Sequence, residues 1–130
     1  MRILALHTGK EESELYLYED STVIATETWL AHRQLADTIH LKIEALLKGQ
    51  NLDWQDIEGI AVFKGPGSFT GLRIGLTVAN ALALGLSVPV IAKSGDAWLT
   101  EAISALQHGE DEKVVIPEYG GEANITQPKK

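Results

Sequence analysis

The sequence predicts an α/β domain, a mixed five-stranded sheet with helices on both faces, and three observations carry that prediction. Residues 1–30 contain three short runs of apolar and β-branched residues broken by turn residues, the pattern of hairpin-connected strands. From about His32 the apolar period lengthens to three and four, which is helical. Beyond residue 58, compact apolar runs alternate with helix-length segments, and a strand-helix-strand unit crosses right-handed and covers one face of its sheet. An antiparallel meander extended by parallel units satisfies all three.

The elements follow in order. Arg2–Leu6 is an apolar strand ended by His7-Thr8-Gly9, and Ser13–Tyr18 and Thr22–Trp29 form a hairpin around Glu19-Asp20-Ser21. Leu35, Ile39, Ile43, Leu46 and Leu47 mark one face of a helix from His32 to Lys48, with Gly49 placed to take a left-handed cap. Ile60–Phe63 is a strand that runs into a glycine cluster, and Thr70–Gly85 is a helix apolar on nearly every side. Val88–Ala92 is a strand in which Pro89 stands near the start, where a missing donor is tolerated. Ser94–Gln107 is a third helix with Ser94 or Asp96 as cap, and Val114–Ile116 reads as a last short strand. Residues 1–117 thus form a single domain, and 118–130 an extended tail.

Composition limits the function. One hundred and thirty residues, 45% apolar, can build one ordinary core. A net charge of −7 has the wrong sign for a chain that holds a nucleic-acid backbone by itself. With no cysteine, disulfides, thiolate catalysis and cysteine-held zinc are excluded. The start is too short an apolar run for a signal peptide or membrane span, so the expectation is a cytoplasmic protein with no membrane partner. The charge is uneven: residues 59–100 carry Lys64, Arg73 and Lys93 against Asp96 alone, and this block holds the glycine cluster.

Gly65, Gly67 and Gly71 lie at a strand-to-helix junction, where free amides at a helix start can face an anion. The loop, with Pro66, Ser68, Phe69, Thr70 and Arg73, matches neither a Walker loop nor the dinucleotide fingerprint: Thr70-Gly71-Leu72 stands where the first needs Lys and a hydroxyl, and Lys93 where the second needs an acid. A tight turn that fits a helix to a sheet is the competing account. In the following helix Gly71, Gly75, Ala79 and Ala83 recur every four residues as a stripe of small side chains, and Leu72 and Leu82 flank it. That stripe lets another backbone come close, and the apolar remainder calls for burial on two sides, so a partner helix is the expected neighbour. His32 and His40 are two turns apart, on the order of 12 Å, too far for one metal. No acid-histidine pair is placed to activate Ser68 or Thr70, so the sequence predicts no catalytic residues and no metal.

The string Gly65-Pro66-Gly67-Ser68-Phe69-Thr70-Gly71-Leu72-Arg73-Ile74-Gly75, together with the first strand Arg2–Thr8 and Ala31-His32 leading into an amphipathic helix, resembles the signature of the TsaB family, also called YeaZ. The similarity runs to about residue 107. That family acts in making the N6-threonylcarbamoyl modification (t6A) on adenosine 37 of tRNA. The resemblance implies one ribonuclease-H-like half of the actin-like, Hsp70-like ATPase superfamily. It also implies a non-catalytic subunit that binds and activates a TsaD-like paralogue, works with a TsaE-like ATPase, can self-associate through the same helices, and meets tRNA only indirectly. Carried over, the interface residues are His32, Leu35, Ile39, Gly71, Leu72, Gly75, Ala79, Leu82 and Ala83. No bound cofactor is expected, and ATP or ADP only at the partner interface; the rival is a small nucleotide-binding protein or enzyme that uses the Gly65–Gly71 loop directly.

The chain departs from the family pattern in three ways. His7 stands where members have an acid that organises metal and phosphate in active relatives of the fold. The His-x-x-x-His pair of TsaD is absent, since Ala36 follows His32 by four. Most relatives carry a second ribonuclease-H-like half, so this length corresponds to a short form lacking most of the second lobe.

Overall fold

The computed structural model describes residues 1–31 and 34–117. Its elements are β1 (Arg2–His7), β2 (Glu12–Glu19), β3 (Thr22–Leu30), α1 (Leu35–Gly49), a 3-10 turn at Trp54–Asp56, β4 (Gly59–Phe63), α2 (Phe69–Leu86), β5 (Val90–Lys93) and α3 (Trp98–Gln107). The strands form one sheet in the order β3-β2-β1-β4-β5. β1, β2 and β3 are antiparallel, while β1, β4 and β5 run parallel, with Leu4 beside Ile60 and Ile60 beside Val90. The meander extended by parallel units is therefore what the chain builds.

Burial explains this order. Ile3 to Leu6 and Ile60 to Val62 are wholly buried, as strands covered on both faces must be. Adjacent residues at the end of β1 show the two faces: Thr8 packs against Gly71 and Gly75 of α2, whereas the ring of His7 stacks on Phe63 and meets Trp98 of α3 edge-on. α1 and α2 lie on the first face, and α3 lies on the second, over β4 and β5.

Several boundaries differ from the sequence expectation, each for a local reason. α1 is described from Leu35 onward, and His32 lies outside the described residues. Gly49 ends α1 inside the helix, and the left-handed conformation falls on Asn51 instead (φ 59°), an amide residue that tolerates it. α2 likewise ends not on Gly85 but on Ser87 (φ 57°), whose N–H reaches the Leu84 carbonyl. α3 begins at Trp98, and neither Ser94 nor Asp96 caps it. Val114–Ile116 is not a strand: Asn80 of α2 clasps the backbone of Val115, and the segment crosses toward that helix rather than joining the sheet.

Candidate partner surface and glycine loop

The glycine loop leaves the end of β4 and is seated by the turn that follows β1. The Ser68 N–H donates to the Gly9 carbonyl (2.8 Å), and the Leu72 N–H to the Ser68 carbonyl (2.9 Å), which starts α2. Thr8, 1% exposed, donates its hydroxyl to the Gly71 carbonyl at 2.7 Å. A Cβ at Gly71 would run into the Thr8 carbonyl oxygen, and one at Gly75 into Thr8 Oγ1. The first two turns of α2 lie so close to the end of β1 that Gly71 meets the Thr8 backbone and Gly75 the Thr8 side chain, which leaves no room for a Cβ at either. The Gly65–Pro66 peptide is cis, and the Arg73 guanidinium lies 5.4 Å from the centre of the Phe69 ring.

This geometry corrects the reading of the small-residue stripe. Gly75, Ala79 and Ala83 are buried within the chain, as are Leu35, Ile39 and Leu72, while Gly71 and Leu82 are half-buried. The stripe is used up by packing on Thr8 and the chain's own core. The side of α2 turned away from that core carries Thr70, Thr77, Ala81 and Gly85, all exposed, with Ile74 and Val78 half-buried beside them. None of these six is charged, but Arg73, also exposed, stands on the same side, one turn from Thr70 and from Thr77. On α1, Leu41 stands 55% exposed, and toward the ends of α2 Phe69 and Leu84 are 54% and 85% exposed. An 18-residue helix that is apolar nearly all round thus has only one face against its sheet. By length and composition alone it would also pass for a membrane span.

Two cavities flank the β1 turn. One, about 340 Å³, is lined by Thr8, Lys10, Ser13, Ser68, Thr70 and Ile74. The other, about 330 Å³, lies on the α3 side and is lined by His7, Lys10, Glu14, Phe63, Asp96 and Trp98. In the second, burial pushes the His7 imidazole below its ordinary value, against the pull of the Glu14 carboxylate, and His7 Nδ1 accepts from the Gly9 N–H (3.2 Å). Glu14 is itself held below the usual carboxylate range: burial raises it, but Lys10 at 2.6 Å and the Tyr16 hydroxyl at 2.8 Å outweigh that. The Tyr16 hydroxyl is pushed up to about 12 by burial and by Glu14. His7 and the loop hydroxyls of Ser68 and Thr70 line different cavities, so no nucleophile-base pair forms there. Among the described residues no three His, Asp or Glu side chains are grouped to hold a metal.

The family model described as TsaD, tRNA N6-adenosine threonylcarbamoyltransferase, matches residues 27–117. The chain is 39% identical over 94 residues to the tRNA threonylcarbamoyladenosine biosynthesis protein TsaB of Escherichia coli, covering 72% of this chain and 40% of that protein. It is 31% identical over 128 residues to the TsaB of Haemophilus influenzae, covering 98% of this chain and 53% of that one. The chain belongs to the TsaB (YeaZ) family. The solved structure of YeaZ from Pseudomonas aeruginosa superposes with a TM-score of 0.69 at 29% identity, over 82% of this chain and 48% of that one. The sheet order and this superposition give a ribonuclease-H-like half. The TsaB-type chain described here spans about half the length of the curated relatives it matches.

Sequence reasoning missed Thr8, which carries the loop, because a Thr at a strand end has no distinguishing pattern. It also missed Asn80, for which a signal existed: it is the one amide in the otherwise apolar second half of α2.

Proposed function

We propose that this chain is a non-catalytic subunit of the machinery that installs N6-threonylcarbamoyladenosine on tRNA, and that it binds and activates a TsaD-like enzyme through the outer face of α2 with α1 beside it. The observation that carries this reading is the outer face of Thr70, Ile74, Thr77, Val78, Ala81 and Gly85, whose side chains are uncharged and small enough for another helix to lie close, with Arg73 as the one exposed charge beside them. The names borne by the relatives supply the pathway. The face is the same one a second copy would use, so a homodimer and the heterodimer compete. A TsaE-like ATPase joins the pair, and tRNA is met through the partner, in keeping with a net charge of −7.

Ala81→Arg tests the surface. Ala81 is exposed, so the variant should keep its unfolding midpoint while its affinity for the cognate TsaD-like protein drops more than about tenfold in a calorimetric titration. Unchanged affinity would remove α2 from the docking surface. The rival, a nucleotide held at the glycine loop, is favoured by the cavity that Ser68 and Thr70 line. Titrating the chain alone with ATP and ADP separates the two: micromolar heat supports the rival, and none supports the subunit.

A further inference from the structure

Among the described residues β5 is an edge strand, paired only with β4, and an edge strand presents a row of unpaired backbone groups to any extended chain that approaches. In this chain three of those groups are already taken. The outward N–H of Val90 donates to Asp111 Oδ1 (3.1 Å), and the outward N–H of Ala92 donates to Glu112 Oε1 (3.0 Å). The Glu112 N–H in turn donates to the Val90 carbonyl (2.9 Å). Two carboxylates thus stand where the carbonyls of a sixth strand would be, and one peptide supplies the matching donor. The arrangement is reinforced on both sides. Asp111 also accepts from the Lys113 N–H (2.8 Å), which closes the turn around it. Four residues after Asp111, Val115 is 3% exposed and is gripped by Asn80, whose side chain accepts from the Val115 N–H (2.8 Å) and donates to its carbonyl (3.0 Å). The segment from Glu110 to Pro117 therefore runs from the end of α3 across the β5 edge and onto α2, fixed at both points.

We infer that residues 110–117 are a latch that occupies the free edge of β5 in cis and so denies it to the same edge of a second copy of this chain. A bare strand edge selects for extended backbone rather than for a particular side chain, and another copy brings the same unfilled donors and acceptors. The carboxylates do two things at once. They satisfy the Val90 and Ala92 amides, and they set negative charge along the line where a second β5 would have to lie. Of α2 only Asn80 takes part in the latch, and the outer face around Ala81 does not.

Amide hydrogen exchange read by NMR tests it. In the parent chain the Val90 and Ala92 amides are protected. With Asp111→Ala and Glu112→Ala together, they should exchange at least tenfold faster, while the Ile91 amide, directed at β4, serves as the control and stays protected. Asp111→Asn with Glu112→Gln keeps an acceptor oxygen at each place and should leave protection in place; opening by this pair would overturn the carbonyl stand-in. Should the double alanine variant not fold, Asn80→Ala frees the second anchor and should speed exchange at Val90 by itself. The chain has no cysteine, so Lys93→Cys gives a unique attachment point for a short bis-maleimide cross-linker. The opened variant should yield covalent dimer and the latched one none. Unchanged protection in the opened variants, or an opened edge that forms no dimer at any concentration, overturns the inference.

Discussion

Gly75 packs where a single methyl group cannot be added. Its missing Cβ is the space that Thr8 Oγ1 occupies, and Thr8 in turn holds the start of α2 through the Gly71 carbonyl. Gly75→Ala should therefore lower stability by about 1–3 kcal/mol, the usual cost of overpacking, as read from urea unfolding. A larger residue there should unfold the chain rather than merely block a partner, in contrast to Ala81→Arg. The spacing of Gly71, Gly75, Ala79 and Ala83 showed that something comes close to this helix. It did not show what, because a period of four marks one side of a helix without saying which way that side faces. His7 makes a second residue-scale prediction. The folded chain keeps its imidazole neutral below the ordinary value of 6.5, whereas the unfolded chain takes up the proton there. Stability is thus full above pH 6.5 and falls as the pH drops toward the lower folded value. His7→Phe keeps the ring on Phe63 and removes the proton site, so thermal melts across this window should lose that part of their slope. Below the ordinary Glu14 value of 4.5, loss of its charge on Lys10 and Tyr16 adds a separate decline.

At the level of elements, α2 was legible in its existence and less so in its ends. Its apolar run is long, but helix termini are set by where the backbone can turn, and here the turn falls on Ser87 in the left-handed region. Ser87→Gly relieves that conformation and should raise stability by about 0.5–1 kcal/mol in denaturant unfolding. No change would mean that the Ser87 hydroxyl or its neighbours offset the strain. α3 lost its first turn relative to expectation because Gly95 takes φ 82° and breaks the helix before Trp98. The final apolar run, Val114 to Ile116, shows the limit of periodicity for short segments. Three β-branched residues suit a strand, yet the neighbouring carboxylates had already filled the β5 edge, and Asn80 offered Val115 a partner elsewhere.

Across the whole molecule, the burial pattern predicts which parts open last. β1 and β4 are covered on both faces, and their amides should exchange slowest, while β3, an edge strand with Val23 45% and Leu30 61% exposed, should exchange fastest among the strands. A uniform exchange profile would contradict this layering. Alkaline titration probes the half-buried Tyr16 beside Glu14: its hydroxyl keeps its proton to about 12 against an ordinary 10, so stability should fall as the pH rises from 10 through 12. The sequence by itself determined the order of strands and helices from β1 to α3, because alternation between periods of two and of three to four is a local property of the chain. It also determined the family, because the run from Gly65 to Gly75 is contiguous. The tertiary structure alone decided which face of α2 is spent on Thr8 and which is left exposed. It also decided that Asp111 and Glu112 close the β5 edge. Both depend on residues far apart in the chain being brought within contact distance, and no local pattern encodes which of several equally apolar or acidic residues will meet.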